Sequence, residues 1–237
     1  MIMGCTKIKI ESERITAKAF YAVMPLYDKN EELDTGMTVE EIKKQLEKAL
    51  SPKRYIHSVN VMETAVSLAK RYGEDAGKAA LAGLLHDCAR NIKADEAIRL
   101  CEKYGIIVDN VSRMQPELLH GRLGEKLAAE LYGIDDPQVL KAIAVHTMGC
   151  PDMDLLDRII FVADYIEPTR AFPGAEAMRK EAFEDLDRAV LSGVDSTINY
   201  IVGKGGLLHT DTIETRNWIL MELKKVGYER KKKQEQK

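Results

Sequence analysis

The sequence predicts an all-α protein, and three observations carry that prediction. Helix formers (Ala, Leu, Lys, Glu, Met, Arg) dominate, apolar residues recur at spacings of three and four, and alternating runs of Val, Ile and Thr are scarce. With 237 residues, 45% hydrophobic and 31% charged, the chain can bury a sizeable core as one large domain or as a domain with an appendage.

Residues 1–36 read as an appendage. ERITAKAFYAVMPLY is weakly amphipathic, and the polar, acidic DKNEELDTG that follows reads as a linker. The main domain is expected over 37–228. It opens at Thr38, where Thr-Val-Glu-Glu has the acidic first turn of a helix, and Ile42, Leu46 and Ala49 share one face. Ser51-Pro52 ends that helix and starts the next, which should run to about Arg71 and close at Gly73. Further helices are expected in EDAGKAALAGLLHDCAR, KADEAIRLCEKYG, GRLGEKLAAELYG, DDPQVLKAIAVHT and DLLDRIIFVADYIE. One long stretch, EAFEDLDRAVLSGVDSTINYIVGKG, and a last helix, TIETRNWILMELKKVG, complete the set. The tail 229–237, ERKKKQEQK, is charged and expected to be frayed and disordered.

A net charge of −3 gives no global attraction for nucleic acid or an anionic membrane, so an anionic ligand must be held by local cations. No apolar run is long enough to span a bilayer, and MIMGCTKIKIESER has no apolar signal core, so a cytoplasmic location without membrane partners is expected. Cys5, Cys88, Cys101 and Cys150 form no CxxC and read as small thiols in a reducing compartment.

Histidines and two acids carry the chemistry. His57 shares a helical row with Val61, Ala65 and Leu68. His86 follows Leu81 and Leu85, His120 shares a stripe with Leu123, Leu127 and Leu131, and His146 completes Val139, Ala142 and Ile143. All of these point towards the core. Asp164 lies on the row Leu156, Ile160 within IIFVADYI, and Asp87 follows His86 in LLHDCA. A carboxylate in such a setting needs a cation, or a proton and a raised pKa. No base lies one turn before Asp87, which makes a metal the economical partner. Imidazoles with carboxylates and no thiolate suit Fe, Mn, Co or Zn. The set is too large for one tetrahedral zinc and suits two octahedral ions bridged by a carboxylate, with Asp87 the natural bridge.

The ordered set His57, His86-Asp87, His120, His146 and Asp164 resembles the six-ligand, two-metal signature of HD-domain phosphohydrolases. The words RYIHSVNV, LAGLLHDCAR, LHGRLGE, AIAVHT, FVADYIEPTR and LLHTDTIETRN, spread over about residues 40 to 220, resemble the bacterial symmetrical diadenosine-tetraphosphatase group (YqeK type). The resemblance implies an HD-domain helical bundle with a dinuclear metal site between its helices. It implies His57, His86, Asp87 and Asp164 on one ion, and Asp87, His120 and His146 on the other, with iron favoured. Ligand chemistry alone leaves manganese equally open. The implied reaction is hydrolysis of diadenosine tetraphosphate by a metal-activated water, giving two ADP. Asp87 and Arg90 would be catalytic, and His57, His146 and Asp164 would also meet the substrate.

A dinucleoside polyphosphate brings about four negative charges, so cations beyond the metals are expected. Arg54, one turn before His57, Arg90, just past the HD pair, and Arg170, across the turn after Asp164, can each reach a phosphate. The resemblance places the loop of Leu207, His209 and Thr210 against the nucleoside or its phosphate, before a helix that Thr210, Asp211 or Thr212 could cap. His209 is not assigned to a metal. A homodimer is compatible with this reading. The alternatives are another HD nucleotide phosphohydrolase or phosphodiesterase, or a non-catalytic metal-bound nucleotide sensor. HDCARN carries Arg90 where the alarmone-cleaving type has an acidic pair, and the GYP word of the cyclic-dinucleotide type is missing.

Overall fold

The protein is described by a computed structural model over residues 37–235, with side chains to 226, and no strand occurs among the described residues. The appendage 1–36, and Cys5 with it, lies outside the described residues. α1 (Val39–Ala49) starts where the sequence signals it. The Thr38 hydroxyl accepts from the Glu41 N–H, and the Glu41 carboxylate accepts from the Thr38 N–H, which satisfies two otherwise orphaned donors. Ile42 and Leu46 are fully buried, each contributing roughly 1.5–3 kcal/mol. α2 (Pro52–Tyr72) has Pro52 in its first turn and stops at Gly73. There follow α3 (Ala76–Leu85), α4 (Ala94–Lys103), α5 (Asn110–Met114), a 3-10 turn (Pro116–Leu119), α6 (His120–Tyr132) and α7 (Pro137–Val145). α8 (Leu155–Ile166), α9 (Ala175–Glu184), α10 (Leu186–Gly203) and α11 (Thr210–Glu235) complete the order.

Four expectations need correction. The helix expected over 74–90 stops at Leu85; residues 86–91 turn tightly through bonds such as Cys88 N–H to Leu85 O (3.0 Å) and Arg90 N–H to Asp87 O (2.9 Å). The HD pair therefore sits at a helix end rather than inside a helix. The long stretch 181–205 divides at Asp185, whose extended backbone breaks the helix and whose side chain caps α10 by accepting from the Arg188 N–H (3.2 Å). On α6, Leu131 is half exposed, and the buried face runs through Leu123, Ala128 and Tyr132 instead. α11 continues through 229–235, where a disordered tail was expected, because Glu, Arg, Lys and Gln are good helix formers and charge alone does not end a helix.

α2, α3, α7 and α8 pack on one another at the centre. α6 lies on α7, α9 and α10 cover α8, and α11 lies on α10. Their shared core includes Leu68, Leu85, Ile143, Leu156, Ile160 and Phe161, and a smaller cluster around Cys101, Leu119 and Leu123 ties α4 to α6. Two glycines set the closest approaches. A Cβ at Gly83 of α3 would lie 2.9 Å from the Met62 Cα of α2, and one at Gly121 of α6 would lie 2.6 Å from the Ala144 carbonyl oxygen of α7. No described helix is long and apolar enough to cross a membrane.

The Gly121 contact yields a prediction. Gly121→Ala must push α6 off α7, and overpacking of this kind costs about 1–3 kcal/mol. A urea titration should show the loss, and an unchanged midpoint would contradict the packing.

Candidate metal centre

Three of the four core histidines stand where a helix or turn stops. His86 follows α3, His146 follows α7, and His120 follows the 3-10 turn. A helix end leaves its last carbonyls without intrahelical partners. Each of these rings uses Nδ1 to satisfy one of them, three residues back: His86 to Gly83 O (2.8 Å), His146 to Ile143 O (2.8 Å) and His120 to Glu117 O. A carbonyl oxygen only accepts, so each Nδ1 carries the proton and each Nε2 turns a lone pair inward. His57 sits within α2, and its Nδ1 faces the buried Glu167 carboxylate (3.1 Å) at the end of α8.

The inward atoms meet in two pairs. His57 Nε2 lies 3.2 Å from His86 Nε2, and His120 Nε2 lies 3.1 Å from His146 Nε2. Asp87 stands between the pairs. Its Oδ2 is 3.8 Å from His57 Nε2 and 3.7 Å from His86 Nε2, while its Oδ1 is 3.1 Å from His120 Nε2 and 3.9 Å from His146 Nε2. Asp164 Oδ1 lies 2.9 Å from His57 Nε2 and 3.9 Å from His86 Nε2. Three groups of side chains present ligand atoms close enough to share an ion: His57, His86 and Asp87; His86, His146 and Asp164; and Asp87, His120 and His146.

This donor set fits divalent cations. Between His120 and His146 both Nδ1–H groups are committed outward, so the two Nε2 atoms face each other, with the Thr147 hydroxyl (3.2 and 3.1 Å) and Asp87 Oδ1 beside them. A cation relieves that opposition. The charge states agree. Burial lowers the His86 pKa and brings His146 down to about 3, so both rings are neutral ligands. Burial opposes ionisation of Asp87 and Asp164, but neighbouring imidazoles, and Arg170 for Asp164, hold both carboxyls well below the usual range. Glu167 falls to about 2: burial opposes the shift, but bonds from His57 and Thr169 outweigh it.

The three arginines also hold groups of the centre itself. No base precedes Asp87 on its own helix, yet Arg54 reaches over from α2 and donates from Nη1 to Asp87 Oδ2 (2.9 Å). Arg170 donates from Nε to the Asp164 carbonyl (2.7 Å) and from Nη2 to its carboxylate. Both acids thus have a cationic partner besides any metal. Arg90 Nη1 donates to Glu117 O (2.9 Å), the same carbonyl that takes the His120 Nδ1 proton. Its 3.1 Å approach to Nδ1 follows from that shared acceptor, since neither nitrogen can accept.

A cavity of about 620 Å³ opens over the centre, lined by Arg54, Asp87, Arg90, His120, His146, Asp164, Arg170, Leu207 and His209 among others. His57 lies behind this wall, and Thr210 is exposed and outside it; Thr212 lines the cavity instead. The cap of α11 is also not a hydroxyl or carboxylate. His209 Nδ1 accepts from the Asp211 N–H (3.1 Å), which leaves Nε2 to donate to Asp109 Oδ2 (2.9 Å). Sequence reasoning missed Glu167 and Thr147. Glu167 was signalled by its place one turn after Asp164, on the same face. Nothing in the spacing signals Thr147.

The HD domain family matches residues 54–169, which span all six side chains of the centre, His57, His86, Asp87, His120, His146 and Asp164. A symmetrical bis(5'-nucleosyl)-tetraphosphatase of Halalkalibacterium halodurans is 42% identical over 175 residues, 74% of this chain and 93% of the relative. One of Bacillus subtilis is 38% identical over 184 residues, 78% of this chain and 98% of the relative. This chain belongs to the HD-domain family. A Clostridium acetobutylicum crystal structure, described as a predicted HD superfamily hydrolase involved in NAD metabolism, is 45% identical. It covers 78% of this HD-domain chain and 98% of its own, with a TM-score of 0.77.

The His57 environment predicts a pH dependence. Burial lowers its pKa, but the hydrogen bonds it donates to the Asp164 and Glu167 carboxylates outweigh that and raise it to about 9. A raised pKa means the metal-free fold gains most below the ordinary value of 6.5 and loses that gain as pH rises through 9. A metal must displace this proton. Uptake by this HD-domain protein should therefore strengthen about tenfold per unit from roughly pH 7 to 9 and then level off. Calorimetric titration with Mn(II) across that range tests it; a flat affinity contradicts the His57 assignment.

Proposed function

We propose that this chain hydrolyses diadenosine tetraphosphate symmetrically to two ADP at a pair of divalent ions. His57, His86, Asp87 and Asp164 hold one ion, and Asp87, His120 and His146 hold the other. The observation that carries this reading is the division of Asp87: Oδ2 faces the His57–His86 pair and Oδ1 faces the His120–His146 pair. Iron is the first choice on family grounds, and the donor set suits manganese equally. Such ions, when bound, supply an activated water and neutralise charge on the departing phosphate.

The remaining residues bind and orient. Arg54, Arg90 and Arg170 reach the cavity from three sides and hold the phosphate chain, while Leu207 and His209 hold one nucleoside. His57 orients the centre from behind rather than touching substrate. The far wall, with Tyr165, Phe172 and Tyr200, offers aromatic surface of the kind a nucleobase stacks on. The catalytic unit is residues 37–228, since all of these side chains fall within it. Cleavage at the centre requires the ions to sit over the second phosphate from a held adenosine, and a shift by one phosphate is about 3 Å, which positioning can prevent.

Two measurements test this. Incubation with diadenosine tetraphosphate and Fe(II) or Mn(II), resolved by anion exchange, should give ADP alone. Equimolar AMP and ATP would refute the symmetric register while leaving a metallohydrolase. Asp87→Ala should abolish turnover and release most of the metal, because one carboxylate serves both ions. Full metal content with normal turnover in that variant would sink the two-ion assignment.

A further inference from the structure

Arg179 belongs to α9, outside the cavity, and touches none of the six side chains at the centre. Its guanidinium nevertheless spans the segment that completes that centre. Nε donates to Ile166 O (2.8 Å), and Nη2 donates to Glu167 O (3.1 Å) and Arg170 O (2.6 Å). Nη1 is held from the other side by Glu176 (2.9 Å). These carbonyls belong to the end of α8 and the turn after it, where backbone acceptors have run out of helical donors. One rigid planar group takes three of them at once from two nitrogens, Nε and Nη2, a spread that a lysine's single nitrogen does not have.

The same turn carries two side chains that face the metal centre. The Glu167 carboxylate holds His57 by Nδ1 and also accepts from Asn60 Nδ2 (3.1 Å) and the Thr169 N–H (2.7 Å). Arg170 holds Asp164 by its carbonyl and its carboxylate. His57 and Asp164 are both on one side of Asp87. The His120–His146 side is tied to Glu117 O and Ile143 O, which belong to other elements.

We propose that Arg179 is a positioning residue for the His57–Asp164 half of the centre. It fixes the turn from Ile166 to Arg170, so that Glu167 aims His57 and Arg170 aims Asp164. This rests on the two-ion reading of the site. It predicts an asymmetry that a general helix staple would not produce: loss of Arg179 weakens one ion and spares the other.

The test compares half-sites. In a His120→Ala background only the His57–Asp164 half remains intact, and in a His57→Ala background only the His120–His146 half does. Arg179→Met keeps the aliphatic stem and removes the donors, and Arg179→Lys keeps the charge without the fork. Mn(II) titration by calorimetry should show affinity falling about 10–100-fold on adding Arg179→Met in the first background, the usual cost of losing a group that orients a ligand. In the second background affinity should stay within a factor of two or so. Arg179→Lys should lie between, and serves alone if the Met variant does not fold by thermal melt. Equal losses in both backgrounds, or a lowered melting temperature with both affinities unchanged, would overturn the proposal. Turnover of diadenosine tetraphosphate by the parent protein is measured separately. Its absence would count against the substrate reading while the half-site comparison still decides the role of Arg179.

Discussion

A helix that stops in the interior leaves carbonyls that water cannot reach, and the centre of this protein is organised by how those carbonyls are satisfied. His86, His120 and His146 each turn Nδ1 back to the carbonyl three residues earlier. That single repeated bond fixes the tautomer, the ring orientation and the direction of the Nε2 lone pair. It also solves a folding problem and a binding problem together, because the group that terminates the backbone ladder is the group that presents the ligand atom. Had α3 continued through Cys88, as its composition allows, His86 would have been one more ring on a helix face, without this anchor.

Close approach of the backbones does the rest. Gly83 lets α3 sit against α2, and Gly121 lets α6 sit against α7. These are the element pairs that bring His57 to His86 and His120 to His146. A side chain at either glycine would have to displace the neighbouring backbone, and with it the histidine beside it. Gly83 and Gly121 lie three residues before and one residue after a histidine, so the packing contact and the ligand move as one unit.

What the sequence disclosed divides along a physical line. Positions set by local periodicity were legible: the rows behind His57, His146 and Asp164 are buried as their spacing demands. The start of α1 and the stop at Gly73 follow from local chemistry as well. Contacts made across helices were not. Arg54 pairs with Asp87 over a separation of 33 residues, and Glu167 with His57 over 110, distances at which spacing carries no information. Leu131 failed for a related reason. Its stripe is helical, but among the described residues Leu131 stays half exposed, with Gln45 of α1 reaching only its backbone carbonyl. The cap at His209 was hidden because the partner that orients its ring, Asp109, lies 100 residues away.

The charges around the cavity give a last step. Asp87, Asp164 and Glu167 are ionised, and Arg54, Arg90 and Arg170 stand among them, so the acids and bases nearest the centre balance. In the metal-free protein the proton on His57 adds one further positive charge. On the proposed two-ion reading, two divalent ions would displace that proton and leave the site with an excess of about four positive charges, in a protein whose net charge is −3. A chain of four phosphates carries about the same number of negative ones. The centre is therefore close to neutral when empty of both ions and substrate, and close to neutral again when it holds both. It is strongly cationic only in the state that has ions and awaits a polyphosphate. On that reading Arg54 and Arg170 contact the same carboxylates that face the ions, so ions that take those oxygens would free the guanidinium groups for phosphate. That coupling would draw an anionic substrate to the metal-loaded protein in preference to the metal-free one.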